Sequence, residues 1–127
     1  MRKTGSFLLA ALLALPMALL AAGDPKRGEE IYSRCAACHS LDYNRTGPKH
    51  CGLFGRKAGS APDFQYSVAM RRSNIVWNEK TLDAFLANPM KYVPGTAMGY
   101  AGIEDKQERV DLIAYLKMAN GSKELCP

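Results

Sequence analysis

Residues 35–39 of this 127-residue chain read Cys-Ala-Ala-Cys-His, and no other stretch restricts the possible fold as strongly. Thiols three positions apart can each add across a vinyl group of one porphyrin, and the histidine that follows is then held under the iron. C-x-x-C-H is the pattern of a c-type haem attachment site. Two rival chemistries share some of these residues. A thioredoxin-like dithiol wants a βαβ setting, which this sequence lacks. Zinc needs further Cys or His ligands, and only His50, Cys51 and Cys126 remain, scattered along the chain.

The N-terminal residues stand apart from the rest. Arg2 and Lys3 precede an apolar run from Phe7 to Leu20, broken by Pro16, and Ala21-Ala22-Gly23 supplies small residues for cleavage. That layout predicts a secretory signal peptide over residues 1–23, the run being short for a membrane span. An uncleaved N-terminal anchor is the competing reading. Removal leaves about 104 residues, a size at which an apolar core alone is marginal and a buried porphyrin supplies missing hydrophobic surface. Export, with a bacterial periplasmic location, suits both thioether attachment and disulfides. The formal charge of +5 falls to +3 without Arg2 and Lys3. No basic run with interleaved aromatics is present, so nucleic acid is not an expected partner.

The remainder reads as one all-α domain over 24–121 with a short tail at 122–127. Asp24-Pro25 provides a cap and a proline where a missing N–H is harmless, with Ile31 and Tyr32 one turn ahead of Cys35. Gly47-Pro48, Gly52, Gly55, Gly59 and Pro62 forbid long regular elements over 41–66. Asn78 predicts a helix from Glu79 to about Ala87, and Asn88-Pro89 stops it and opens a short helical turn. Asp105 with Glu108 has the form of a capping box, and Gly121 offers a C-terminal close. Between them Leu112, Tyr115, Leu116 and Ala119 recur at helical spacing.

His39 is the expected proximal ligand, with a backbone carbonyl such as that of Pro48 fixing its tautomer. A second axial ligand has to come from far along the chain. Met70, Met90, Met98 and Met118 are available. Met98 lies in Pro94-Gly95-Thr96-Ala97-Met98-Gly99, a segment able to bend over a porphyrin face, yet methionine also fills gaps in cores. On spacing alone the choice stays open.

Taken together, these segments resemble class I cytochrome c, the group of mitochondrial cytochrome c and bacterial cytochrome c2. The likeness rests on Cys35-x-x-Cys38-His39, Thr46-Gly47-Pro48, Gly52-Leu53-Phe54-Gly55-Arg56-Lys57, Ala61-Pro62-Asp63-Phe64-x-Tyr66 and Trp77. It continues through Asn88-Pro89-Met90-Lys91-Tyr92-Val93-Pro94-Gly95-Thr96-Ala97-Met98 and Asp111-Leu112-Ile113-Ala114-Tyr115-Leu116-Lys117. The resemblance implies three main helices and short helical turns around one covalent haem c. It implies axial ligation by His39 and Met98, and a Pro48 carbonyl on His39. Arg56, Tyr66 and Trp77 would surround buried propionates, and Thr96 and Phe85 would complete the haem environment. Gly28, Tyr32, Leu112 and Tyr115 would form a crossing of first and last helices.

Several positions depart from that pattern. The loop from His39 to Gly47 is short, Phe85 stands where a tyrosine often lies near the methionine sulfur, and Met70 replaces a common asparagine. Glu30, Met90, Ala97, Glu104 and Asp105 thin a ring of lysines, leaving Arg34 and Lys91. The remaining Cys51 and Cys126 are an even remainder in an exported chain, which argues for a disulfide tethering the tail, against free or intermolecular thiols.

The function expected from this resemblance is a monomeric, non-enzymatic carrier of single electrons. It would dock transiently, by its exposed haem edge, on redox proteins or membrane respiratory complexes. A haem peroxidase or gas binder with a labile Met98, and a dedicated acceptor subunit of one dehydrogenase, are the alternatives.

Overall fold

The chain was studied as a computed structural model, which describes residue 1 and residues 21–127. Most of the segment read as a leader therefore lies outside the described residues. Among the described residues five helices follow in order: α1 Pro25–Tyr32, α2 Val68–Arg72, α3 Glu79–Ala87, α4 Pro89–Tyr92 and α5 Lys106–Gly121. The architecture is all-α, with α1, α3 and α5 as the main elements. The one pairing of extended backbone among the described residues is an isolated bridge between Lys57 and Val76. No helix among the described residues is long and apolar enough to cross a membrane.

Helix ends follow local chemistry. The Asp24 carboxylate accepts from the Lys26 N–H at 2.9 Å, with Pro25 in the first turn. At α3 the cap is reciprocal: Asn78 Oδ1 accepts from the Thr81 N–H (3.0 Å), and Thr81 Oγ1 accepts from the Asn78 N–H (2.9 Å). Asn88 ends α3 and caps α4, accepting from the Lys91 N–H at 3.0 Å.

Two local expectations need correcting, and one helix was not foreseen. Asp105 caps α5 by accepting from the Glu108 N–H at 2.8 Å, but Glu108 does not complete a capping box. Its carboxylate is taken instead by Arg34, through two bonds of 2.7 and 2.9 Å. Gly121 is the last residue of α5 without adopting a positive φ, and the N–H of Ser122 closes the end on the Ala119 carbonyl. Helix α2, capped by Ser67 Oγ, was not anticipated, because five residues are too few to display a period.

The frame is set by α1 crossing α5. A Cβ on Gly28 would stand 2.0 Å from the Asp111 carbonyl oxygen and 2.6 Å from Tyr115 Cβ, so glycine alone permits this approach. Leu112 is 1% exposed in the same crossing. The Asp24 N–H donates to Asp111 Oδ1 at 2.9 Å, joining the start of α1 to the middle of α5. Burial opposes ionisation of Asp111, yet the bonds from Asp24 and Gln107 hold its carboxyl below the usual range.

Cys51 and Cys126 form a disulfide with Cα atoms 5.4 Å apart, and a second tie runs from the Leu53 N–H to Asn120 Oδ1 at 3.0 Å. The bridge spans 75 residues of sequence, a loop whose closure contributes about 4 kcal/mol in the chain-entropy treatment. The double variant C51S/C126S should lose about that much in denaturant unfolding. A loss below roughly 1 kcal/mol would show that the tail tether does not constrain the unfolded chain.

Candidate functional site

The backbone does not straighten after α1. The N–H groups of Cys35, Cys38 and His39 donate to the carbonyls of Tyr32, Cys35 and Cys35 at 2.8, 3.0 and 2.9 Å. These helical turns put Cys35 and Cys38 on one side and set His39 one turn beyond Cys35. All three line a cleft of about 490 Å³. Met98, Met70, Arg56, Tyr66, Trp77, Phe85, Thr96 and Pro48 line it too, so the structure collects every residue expected around the haem. The disulfide pair lies outside that lining.

Each contributor is held locally. His39 Nδ1 lies 2.8 Å from the Pro48 carbonyl, a hydrogen bond that needs the N–H on Nδ1 and leaves Nε2 as the lone-pair nitrogen. Burial pushes the imidazole below its ordinary pKa, only partly offset by that bond, so the ring is neutral at pH 7. Gly47 packs against the ring so closely that a Cβ would sit 2.3 Å from His39 Cε1. Met98 is carried by the segment between α4 and α5, where its N–H meets Thr96 Oγ1 at 3.3 Å.

On the far wall the Lys57–Val76 bridge draws two stretches together. The Trp77 N–H donates to the Arg56 carbonyl at 3.0 Å and the Gly55 N–H to that of Trp77 at 2.8 Å. Arg56 donates from Nη2 to the Lys49 carbonyl (2.9 Å) and from Nη1 to that of Cys51 (3.2 Å). Its buried Nε has no partner among the described residues. An unpaired guanidinium N–H in such a wall is costly and suits an anionic group such as a propionate. Tyr66 turns its hydroxyl oxygen to the Ala61 N–H at 3.2 Å. Phe85 packs on Trp77 with ring centroids 5.1 Å apart and brings no hydroxyl into the cleft.

The thiols themselves discriminate between chemistries. Burial raises Cys35 to about 11. A redox-active dithiol works through a lowered pKa of its attacking thiol, and Cys35 is shifted the other way. An apolar cleft with two free thiols, a neutral imidazole and one orphaned cationic donor fits a covalently attached haem.

Comparison with known proteins agrees with this geometry. The cytochrome c family model matches residues 25–120. Cytochrome c of Euglena viridis is 47% identical over 98 residues, covering 75% of this chain and 96% of that protein. Cytochrome c2 of Rhodomicrobium vannielii is 40% identical over 117 residues, covering 90% and 94%. The solved structure of cytochrome cH from Methylobacterium extorquens superposes with a TM-score of 0.74 at 41% identity, covering 76% of this chain and 99% of that one. The chain belongs to the cytochrome c family. It is a monohaem c-type cytochrome, carrying electrons on a covalent haem c, and not an enzyme.

Among the cleft residues that went unrecognised in the sequence, His50 has the most direct contact with a site residue. His50, dismissed there as a scattered leftover, stacks on His39 with ring centroids 4.3 Å apart. It belongs to no motif, and only the fold of the loop after His39 brings the two rings together. Arg34, counted in the sequence with the basic ring, lines the cleft and is paired with Glu108.

Proposed function

We propose that Cys35 and Cys38 anchor the haem, that His39 and Met98 are its two axial ligands, and that the carrier works between periplasmic or membrane-bound redox complexes. Bound haem supplies the one-electron couple. Everything else is the work of the chain. Pro48 and Gly47 hold the His39 ring in place with its Nε2 free. Arg56 meets propionate charge with an unused N–H, while Tyr66 and Trp77 close the same wall. Phe85, Met70, Leu82 and Leu116 keep water from the interior of the cleft. The observation that carries the assignment is the convergence of both thiols, His39 and Met98 on one cleft. His39 and Met98 would hold the iron with a nitrogen and a thioether, which would leave no site for a reactant and would favour a raised potential.

Residues 1–23 are read as a cleaved leader, 24–121 as the haem domain and 122–127 as its tethered tail. The absorption spectrum of the purified holoprotein should be low-spin in both oxidation states and insensitive to peroxide. Its mass should exceed the leaderless polypeptide by one haem, carried on the peptide containing Cys35 and Cys38. A high-spin ferric spectrum that responds to peroxide would favour an enzyme.

Docking should be brief and weakly charge-steered. Ala97 and Gly99 line the cleft and are exposed, and the nearby acidic Glu104 and Asp105 are exposed as well. With Arg34 already paired, electron transfer to an acidic acceptor should change little between low salt and about 0.15 M, where the Debye length is about 8 Å. A steep fall in rate with salt would contradict this.

A further inference from the structure

His50 is a half-buried side chain that the carrier function has not used. Its ring lies nearly parallel to that of His39, with 20° between the planes. Its Nδ1 is 3.0 Å from the Tyr32 hydroxyl oxygen. Tyr32 is in turn fixed in the α1–α5 crossing, its ring 5.2 Å from that of Tyr115. The His50 N–H donates to the carbonyls of Ser40 and Leu41, both at 3.1 Å, and the next residue is bridged to Cys126. Backbone and ring tip are therefore both anchored.

An aromatic face stacked against a ring that gains positive character favours the more positive state. An imidazole bound to iron donates more charge to the ferric than to the ferrous ion. The stack thus favours the oxidised protein. It also fixes the plane of the ligand ring, together with the Pro48 bond and the close approach of Gly47. Partners of this kind, one step removed from a metal, set ligand orientation and tune the metal.

We propose that His50 is a positioning residue of the carrier, whose ring, stacked on His39 and tied to Tyr32, sets the plane of the proximal imidazole and lowers the midpoint potential. The proposal rests on the reading of His39 as axial ligand. The wild-type holoprotein is therefore examined first: without a low-spin, six-coordinate spectrum, that reading fails and not this one.

Midpoint potential and low-spin ferric EPR anisotropy, which reports the imidazole plane against the porphyrin, are then compared for H50L, H50F and Y32F. H50L removes the aromatic face and should raise the midpoint and shift the g values. H50F keeps a flat ring but loses the Tyr32 tie, so it should fall between wild type and H50L. Y32F releases the ring tip and should move in the direction of H50L by a smaller amount. The proposal is overturned if H50L changes neither quantity, or if H50F moves as far as H50L. Should H50L fail to retain haem, Y32F decides, and an unchanged midpoint and EPR signal in that variant overturns the proposal.

Discussion

Replacing Met98 with alanine is expected to lower the midpoint potential by on the order of 0.1 V or more, since axial ligand choice spans about 0.8 V across haem proteins. The same variant should turn a closed low-spin centre into one that takes up cyanide or peroxide. The reasoning starts from the position of Met98 in the segment between α4 and α5, far from His39 in sequence but on the same cleft. A thioether favours the ferrous state relative to a second nitrogen or a water. Alanine leaves that side to solvent. Met70 lines the cleft as well and is buried, so M70A is the informative control. It removes packing and should cost about 2–5 kcal/mol of stability while leaving the axial set intact. If M70A opens the iron and M98A does not, the ligands have been assigned the wrong way round.

Gly28→Ala should be strongly destabilising for a change of a single methyl group. In an exposed helix the substitution is favourable by about 1 kcal/mol. Here the added Cβ would be 2.0 Å from the Asp111 carbonyl oxygen and 2.7 Å from its carbon, both backbone atoms of α5. No rotamer relieves that contact, so the two helices must separate and uncover Leu112 and Tyr115. A loss of about 3 kcal/mol or more is expected, which for a domain this size lowers Tm by more than about 10 °C. Gly121→Ala meets nothing within 4 Å and should be close to neutral. Equal thermal scans for the two variants would mean that the crossing does not depend on the missing side chain.

How far the sequence could be read depends on the range of the interaction involved. Asn78 and Asn88 act within one turn, so the starts of α3 and α4 were legible from their own neighbourhoods. The cysteine–histidine motif is equally local, because a porphyrin demands those groups at fixed offsets. Glu108 is different. Its capping role was plausible by spacing, but Arg34, 74 residues away, offers a charged partner that outcompetes a backbone N–H. Helix α2 depends on a single serine cap and on packing of Met70, neither of which leaves a period. His50 carries no sequence signal, since its importance arises from the loop that folds it onto His39. The choice of Met98 shows the same limit: its loop setting separates it from the other methionines, but spacing alone does not decide between a ligand and a packing role, and the family pattern is what selects it.

That choice is tested most directly by NMR of the ferrous holoprotein carrying methyl-labelled methionine. A methyl group held against the porphyrin face lies in its ring current and is displaced far from the other methionine signals. One displaced resonance is expected, and it should vanish in M98A while surviving in M70A. A spectrum with no displaced methyl, or one whose displaced signal is lost in M70A, would contradict the paired ligation of iron by His39 and Met98.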